Sequence, residues 1–498
     1  MPFKAPEPGV ERLPLPLVLI FSLPTIPLSA LGLAMGVYLA PYFASHLGVS
    51  LTGVGLAFMI VRFADMGVDV SLGAVMDRTK TRLGRYRLWL MLGAPVLVGG
   101  CFSLFLAPVG ISVAYLVAGL LVYYLGTSIM GLAHPAWGAK LASHYNARSH
   151  LFGVQSAVGV VGAVAVLLIP IFAGRFGLTD AQAVPVMGWM VMASIPITVL
   201  AAAIATPERV TSDVHTHKPS LGASAREYLA LITKPDLFRL VLAQVALTLG
   251  PGWMATLYLF FFRDFLGFQG AQSSILLGIY IFIGILGAPA AAWLSARISK
   301  HRTLMLTTTA YSLGLCTIVI LPKHSMLFAT PVMMWCGFMA SGFGLMISAM
   351  LADVGDEVRL EQGKERISLI YAMNGLAAKV ASALQLAITF PLLERLGYNP
   401  REGAVNTPAA IHNLELAYIV GPIVFVMLGG ACVIGWRLNA AKHSEIRAAL
   451  DERDATFTES PLIENAVGQP PATVVTADQP SESPASTAPL NSSATAAG

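Results

Sequence analysis

The chain has 498 residues, of which 56% are hydrophobic and 12% are charged, and its mean hydropathy is +0.70. Soluble globular proteins carry about 25% charged residues, so this composition excludes a soluble protein and indicates an integral membrane protein. The formal net charge is +4, but the basic residues lie in short loops between apolar runs. That distribution is typical of membrane orientation rather than of nucleic-acid binding, and we expect no nucleic-acid partner.

Apolar segments long enough to cross a bilayer recur along the whole chain. A bilayer core about 30 Å thick needs roughly 20 apolar residues per helix. About twelve segments meet that requirement, which predicts an all-α membrane protein with twelve transmembrane helices. The predicted spans are 16–44, 52–76, 88–107, 112–136, 152–174, 184–205, 237–266, 271–297, 302–321, 328–353, 367–393 and 415–437.

The longest polar gap, 206–236, divides the spans into six and six. We therefore predict two six-helix halves, 1–205 and 237–440, joined by a cytoplasmic connector. This arrangement is typical of transporters built from repeats, which bind substrate near the midplane between the halves. The tail 441–498 is rich in Ala, Thr, Ser and Pro towards its end, so we expect it to be cytoplasmic and mostly disordered.

Basic residues are concentrated in alternate loops. Loop 77–87 and the loops after the fourth, sixth, eighth and tenth spans are rich in Lys and Arg, whereas the opposite loops are poor in both. Basic loops remain in the cytoplasm. We expect a multi-pass protein of the cytoplasmic (inner) membrane with both termini in the cytoplasm.

Three charged residues lie within the second span. Arg62, Asp65 and Asp69 are spaced i, i+3 and i+7, so they share one helix face. Charges in hydrocarbon are costly, and this face must look into the bundle or a water-filled cavity. Two carboxylates one turn apart repel each other unless a cation lies between them, so the pair is suited to sodium or a proton. Arg62 could neutralise one carboxylate when that cation is absent.

The alternative for this stretch is a structural salt bridge between Arg62 and Asp65 with nothing bound. Two acids against one base leave a surplus negative charge, which favours the functional interpretation. Asp77 lies at the helix end, where water is available. Together with the loop residues Arg78 and Arg85 it predicts a gating or orienting salt bridge rather than a substrate contact.

The second span and the loop after it resemble the glycoside–pentoside–hexuronide:cation symporters, a branch of the major facilitator superfamily that includes the melibiose permeases. The resemblance covers roughly residues 12–450, including "ADVGDEVRLEQGKERISLIYAMNGLAAKVASA" in the second half. The residues that carry it are Arg62, Asp65, Asp69, Gly73, Asp77, Arg78, Thr79, Arg82, Gly84 and Arg85.

The resemblance implies a major facilitator fold and a set of roles. Asp65 and Asp69 would bind the coupling cation, Lys379 of the eleventh span would act near cation and substrate, and Ser128 would be a hydroxyl ligand of sodium. The chain departs from the galactoside transporters of the family at three positions. Ser29 and Gly131 stand where these have acids, and Gln155 stands where an arginine is common.

Other polar residues within the spans are further candidates. Lys379 is far from either loop, so it must pair or lose its proton, and it could contact Asp65 or Asp69 or hold an anionic substrate. Asn374 could donate a hydrogen bond to substrate. His134 could relay a proton or contact substrate, although a polar residue near the cytoplasmic interface is the simpler interpretation.

Two features of the second half yield structural expectations. Gly250-Pro251-Gly252 is expected to break the seventh span, as in transporters whose broken helices line the binding site. Asp353 and Asp356 end the tenth span, where we expect a cytoplasmic salt-bridge network with Arg359 and Arg366.

The sequence therefore predicts a secondary active transporter that couples sodium or a proton to symport of a small solute, namely a sugar, glycoside or sugar acid. Transport of a lipid-like or other non-sugar solute, and efflux, are alternatives on the same fold. A membrane enzyme or receptor is a further alternative. The sequence contains neither His-Glu-x-x-His nor Gly-x-Ser-x-Gly, so we expect no enzyme, no cofactor and no metal other than sodium at Asp65 and Asp69. We expect a monomer.

Overall fold

The computed structural model describes residues 13–79, 81, 83–142, 145–208, 231–363 and 366–456, without the side chains at 77, 145, 146, 149, 368 and 454–456. The described residues up to Arg447 form one compact unit. Those from Ala448 belong to a second unit, which begins within the helix Ala440–Thr456. The described residues contain twelve helices long and apolar enough to cross a membrane, as the sequence predicts.

Span 1 is assembled from short segments, and the other spans are long helices. Span 1 comprises the helices Leu15–Ser22 and Thr25–Leu33, the π-helical segment Ala34–Leu39 and the helix Ala40–Ser45. Spans 2 to 6 are Leu51–Arg78, Tyr86–Phe105, Val113–Leu141, Tyr145–Ala173 and Asp180–Ala205. Spans 7 to 12 are Pro235–Phe260, continued by the π-helical segment Phe261–Phe265, then Gly270–Ile298, Lys300–Cys316, Met326–Gln362, Ile367–Arg395 and Pro408–Ala431.

Side-chain caps define one end of the bundle. A hydroxyl oxygen of the residue before the helix accepts a hydrogen bond from a first-turn backbone N–H in spans 2, 4, 6 and 12, which satisfies a donor that has no partner within the helix. The capping residues are Ser50, Ser112, Thr179 and Thr407. We call this the capped end, and the end that carries loop 79–85 the basic end.

The observed helix bounds correct several expectations. Span 10 continues nine residues past the predicted end at Asp353. The acidic residues of its last turns pair with basic side chains, so the helix can continue through this charged segment. Span 12 begins at Pro408 rather than 415, since Thr407 caps a polar first turn that hydropathy alone excludes.

The prediction that Gly250-Pro251-Gly252 breaks span 7 is wrong, because one helix runs through the motif. Its glycines permit close packing instead. A Cβ at Gly250 would lie 3.1 Å from the carbonyl oxygen of Pro422, and one at Gly252 would lie 2.0 Å from the Gln385 amide oxygen. In span 1, by contrast, helix is interrupted at Leu23 and Pro24, as proline predicts.

Contacts between the first six and the last six spans are found at the capped end. The hydroxyl groups of Tyr38 and Ser274 lie 2.8 Å apart, and the Thr52 backbone N–H donates to Glu394 at 2.6 Å. Spans 2 and 11 approach closely because position 55 is glycine. A Cβ there would lie 2.7 Å from the carbonyl oxygen of Leu386. These contacts hold the two halves of the chain together and bring span 11 alongside the charged face of span 2.

The predicted division into 1–205, 206–236, 237–440 and 441–498 is not tested by these contacts and stays a prediction. Residues 209–230 of the connector and 457–498 of the tail lie outside the described residues. The start of the predicted tail is helical, within Ala440–Thr456.

Candidate functional site

The two carboxylates of span 2 point into the bundle. The side chain of Asp65 is 4% exposed and that of Asp69 is 16% exposed. Asp69 lies about 27 Å along the helix from Leu51, at 1.5 Å per residue, and so in the interior of the span. Burial at this depth requires that each carboxylate find a compensating partner.

Lys379 of span 11 supplies positive charge to both acids. Its ammonium nitrogen forms an ion pair with Asp69 Oδ2 and lies 4.0 Å from Asp65 Oδ2. The two acids belong to the first half of the chain and the lysine to the second half. The structure therefore brings together three of the predicted site residues across the interface between the halves.

Ser128 of span 4 completes the environment of Asp65. Its buried hydroxyl donates a hydrogen bond to Asp65 Oδ1 at 2.6 Å. Hydrogen bonds to an ionised carboxylate are stronger than those between neutral groups. Asp65 is thus held on one oxygen by a hydroxyl and faces Lys379 with the other.

Arg62 does not take the predicted position. Its guanidinium carbon lies 4.3 Å from the ring centre of Tyr124, a cation–π geometry. Within the described part of the chain, no carboxylate lies within ion-pair distance of Arg62. Lys379, rather than Arg62, is the cation that contacts the two acids, and the proposed Arg62–Asp65 salt bridge is absent from this structure.

His134 is buried within the bundle, beside spans 1 and 5. It is 2% exposed, and its Nε2 lies 2.7 Å from the Phe21 carbonyl oxygen. Gln155 Nε2 approaches His134 Nδ1 at 3.2 Å. Both residues line a cavity of about 340 Å³ between spans 1, 4 and 5. We call it the span 4–5 cavity. Ser29, Gly131 and Gln155, the three positions of departure, all line it.

A second cavity, of about 450 Å³, lies between spans 7, 8 and 10. Its polar lining side chains include Gln244, Thr248, Tyr280 and Ser341. Asn374 lines neither cavity, and among the described residues it forms no hydrogen bond to Lys379. Its Oδ1 is buried without a partner in the same part of the chain. The structure therefore leaves Asn374 outside the group of contacts at Asp65 and Asp69.

The predicted gating residues lie at the basic end. Arg78 is exposed in the last turn of span 2, and Arg85 Nε donates to the Thr79 carbonyl at 3.1 Å. The side chain of Asp77 lies outside the described residues. The sequence analysis missed Glu208, whose carboxylate accepts from the backbone N–H groups of Arg85, Tyr86 and Arg87 at 2.8–2.9 Å. Glu208 thus caps span 3. The sequence feature that could have predicted this contact is an acidic residue directly after span 6, at the same end of the bundle as the basic loop after span 2.

The acids of span 10 do form a charged network. Lys300 contacts both Asp353 oxygens at 2.6 and 2.8 Å, and His443 Nε2 lies 3.0 Å from Asp356 Oδ2. Arg447 Nη1 lies 3.5 Å from the same residue. These partners come from span 9 and the C-terminal helix, in addition to any role of the predicted Arg359 and Arg366.

Comparison with known proteins defines the family. Residues 20–440 match the model of the family described as MFS/sugar transport protein. The chain belongs to that family. It is accordingly a multi-pass membrane transporter of small solutes and not an enzyme, and the family resemblance carried by the span 2 motif is confirmed.

The relatives share low sequence identity with the chain, but the matches cover most of both sequences. The chain is 22% identical over 446 residues to the isoprimeverose transporter of Lactiplantibacillus pentosus, covering 84% of this chain and 89% of that one. It is 24% identical over 437 residues to the glucuronide carrier protein homolog of Escherichia coli (strain K12), covering 84% and 92%. A mutant form of the nucleoside transporter NupG matches with a TM-score of 0.66 at 11% identity, covering 84% and 99%, which establishes the fold alone.

Across the described residues there is no group of three or more His, Cys, Asp or Glu side chains arranged to hold a metal ion. The oxygen donors gathered at Asp65, Asp69 and Ser128 are instead two carboxylates and one hydroxyl from spans 2 and 4. Such hard oxygen ligands fit a small monovalent cation or, on the carboxylates, a proton. The neighbouring ammonium of Lys379 would have to make room for either one.

Proposed function

We propose that the protein is a symporter that couples entry of sodium or a proton to entry of a small polyhydroxylated solute, with Asp65 and Asp69 as the cation site. The observation that supports this is the ion pair of Lys379 with Asp69, beside Asp65. A lysine ammonium is a monovalent cation. Its position marks a place where two carboxylates of one half attract one positive charge from the other half.

The proposal follows from charge compensation. Of the two basic side chains near these acids, Lys379 contacts the carboxylates and Arg62 lies against the Tyr124 ring. A monovalent cation that takes the place of the Lys379 ammonium would keep the charge at Asp65 and Asp69 compensated. An arriving cation competes with Lys379 for the oxygens of Asp69 and Asp65, because carboxylates are acceptors only. Ser128 orients Asp65 throughout by its hydrogen bond. Exchange of Lys379 for the cation therefore changes how strongly spans 2 and 11 attract each other.

This exchange supplies the coupling. The cation site lies on spans 2 and 4 of the first half, whereas the competing ammonium lies on span 11 of the second half. Alternating access requires the halves to rock around a central site. Cation binding releases one inter-half ion pair, and the hydrogen bonds at the capped end, such as Tyr38 to Ser274, then remain as the contacts to be broken.

The solute class rests on the relatives and on the cavities. The two relatives described above are named for isoprimeverose and for glucuronides, and both are sugar derivatives. The cavities of about 340 and 450 Å³ fall in the range of small-molecule sites. The excess of Lys and Arg in the loops of the basic end supports an orientation in which that end faces the cytoplasm of the inner membrane.

The experiment is solute uptake by proteoliposomes under an imposed sodium or proton gradient. Isoprimeverose and an aryl glucuronide are the first probes. We expect one gradient to drive accumulation, and Asp65→Asn and Asp69→Asn each to abolish it. Asp353→Asn is the matched control, since Asp353 is also a buried acid paired with a lysine, but at the basic end. Equal accumulation with and without either gradient would contradict the proposal.

A further inference from the structure

A histidine and a glutamate join the two halves of the chain at the capped end. His46 directly follows span 1, and Glu402 lies in the loop between spans 11 and 12. His46 Nε2 lies 2.8 Å from Glu402 Oε2, and the Glu402 backbone N–H donates to the Ser45 carbonyl oxygen at 3.4 Å. The side chains of His46 and Glu402 are 19% and 59% exposed, so protons can reach the pair from solvent. Opening of the capped end separates the halves and has to break these contacts.

The hydrogen bonds around His46 accommodate its imidazole both with and without a positive charge. A carboxylate can only accept, so Nε2 carries a hydrogen in either form. Nδ1 lies 2.6 Å from Ser45 Oγ, which also lies 2.9 Å from the Pro41 carbonyl oxygen. When Ser45 donates to that carbonyl, Nδ1 has to donate to Ser45, and the imidazole is charged. When Nδ1 has lost its hydrogen, the Ser45 hydroxyl can donate to it instead.

Protonation of His46 strengthens its contact with Glu402. A hydrogen bond between two charged groups is stronger than one with a neutral donor. The Tyr42 ring is stacked on the imidazole, with the ring centres 5.1 Å apart, and it attracts the charged form more than the neutral form. Histidine is the side chain that ordinarily changes charge between about pH 5 and pH 8. The attraction between the halves at this contact is therefore greater at acid pH.

None of the other charged groups near His46 is its partner. Asp180 of span 6 and Arg263 of span 7 line the same cavity of about 80 Å³ as His46. Arg263 is paired with the adjacent Asp264 at 2.6 Å. Within the described part of the chain, Asp180 forms no ion pair with His46. Arg401 of the loop between spans 11 and 12 lines a different cavity, of about 290 Å³.

From this arrangement we infer that His46 and Glu402 form a pH-sensitive latch, which acid pH at the capped end closes more firmly. At acid pH the charged imidazole holds the loop between spans 11 and 12 against the end of span 1. As the pH rises, the imidazole loses its charge and the ion pair becomes a hydrogen bond from a neutral donor, so the halves separate more readily. The latch lies outside the proposed cation site, and its action does not depend on which solute or cation is carried.

The test is the distance between two spin labels across the capped end, measured by double electron–electron resonance on the full-length protein in detergent. In a cysteine-free background, the labels are attached to Val109→Cys and Val405→Cys, whose native side chains are 79% and 99% exposed in loops of this end. Spectra are recorded at a fixed sodium concentration at about pH 5.5 and about pH 8, within the range over which histidine ordinarily changes charge. We expect the fraction of molecules with an open capped end to rise about threefold at the higher pH, as befits one partly exposed ion pair. An equal open fraction at both pH values would overturn the inference.

Three variants test the residues. His46→Gln retains a hydrogen-bond donor for Glu402 but carries no charge, so its open fraction should equal that of the wild type at alkaline pH under both conditions. His46→Lys is charged at both pH values and should stay closed at both. His412→Gln is the matched control, because His412 Nδ1 also lies 3.0 Å from a carboxylate, that of Glu415, but both residues belong to span 12. It should respond to pH like the wild type. A full pH response in His46→Gln would contradict the latch.

Asp65→Asn combined with Asp69→Asn separates the latch from the proposed cation site, whose carboxylates could also bind protons. If the double variant keeps the pH response and His46→Gln abolishes it, the response belongs to the latch, whether or not the proposed cation site stands. If the double variant abolishes the response and His46→Gln keeps it, the response belongs to the cation site and the latch is wrong.

Discussion

Lys379 and Asp69 form an ion pair that joins span 11 to span 2, far from both ends of the two helices. Asp65, one turn earlier, lies 4.0 Å from the same ammonium. The side chain of Lys379 is 39% exposed, but those of Asp65 and Asp69 are only 4% and 16% exposed, so removal of the lysine leaves two largely buried carboxylates without this compensating charge. The pair therefore links the charge state of span 2 to the contact between the two halves.

Replacement of Lys379 by glutamine should make cation binding tighter. The variant removes the ammonium that competes for the oxygens of Asp69 and Asp65, so we expect the sodium or proton concentration for half-maximal stabilisation to fall about tenfold, equivalent to about 1.4 kcal/mol. Lys300→Gln is the control, because Lys300 pairs with Asp353 outside the site. Weaker cation binding in Lys379→Gln would show that the lysine assists the cation instead of competing with it.

Replacement of Ser128 by alanine should destabilise the protein. Asp65 is buried and would lose a hydrogen bond to a charged group, which is worth about 1.5–3 kcal/mol. Chemical denaturation measures this loss. Thr127→Ala removes the neighbouring hydroxyl, which donates to the Tyr124 carbonyl at 2.9 Å and to no carboxylate. We expect a smaller loss there, and equal losses in the two variants would contradict the role given to Ser128.

Replacement of Gly55 by alanine should push spans 2 and 11 apart. The new Cβ would lie 2.7 Å from the Leu386 carbonyl oxygen, a backbone atom that cannot rotate away. Overpacking of this kind costs about 1–3 kcal/mol, so a lower melting temperature and slower uptake are expected. Gly67→Ala on the same helix meets nothing within 4 Å and should retain stability. An unchanged melting temperature and uptake rate in Gly55→Ala would mean that spans 2 and 11 are not held at this distance.

Replacement of Tyr38 by phenylalanine should favour opening of the capped end. The hydroxyl of Tyr38 lies 2.8 Å from that of Ser274, which links span 1 to span 8 beside a cavity of about 80 Å³. In a cysteine-free background, Met187→Cys in that cavity reports exposure to a membrane-impermeant thiol reagent. We expect faster labelling with Tyr38→Phe than with Tyr42→Phe, which lines the same cavity. Equal labelling rates would assign no gating role to the Tyr38–Ser274 contact.

The sequence predicts the elements better than their relative rotation. Twelve apolar runs define the spans, and the spacing of Asp65 and Asp69 places both on one face. That Ser128 reaches Asp65 depends on the register between spans 2 and 4, which periodicity within each helix does not specify. Lys379 could be predicted as a partner, because a lysine at that depth needs an acid.

Two misses have a local physical cause. Glycine and proline predict a break at Gly250-Pro251-Gly252, but one helix runs through the motif, with its glycines close to spans 11 and 12. Arg62 lies over the ring of Tyr124 from span 4 and not beside the nearest acid, because the ring faces its guanidinium group. Similarly, the contact of His134 Nε2 with the Phe21 carbonyl joins span 4 to span 1 across more than a hundred residues of chain, which the pattern within one helix does not specify.

The most direct measurement is the thermal stability of the purified protein against sodium, lithium and pH, for the wild type and for Asp65→Asn combined with Asp69→Asn. A specific cation stabilises the folded state by mass action, by about 2.7 kcal/mol at one hundred times its dissociation constant. We expect sodium or acid pH to raise the melting temperature of the wild type and of Asp353→Asn, and to have no such effect on the double variant. A wild type that responds to none of these conditions, or a double variant that responds like the wild type, would contradict a cation site at Asp65 and Asp69.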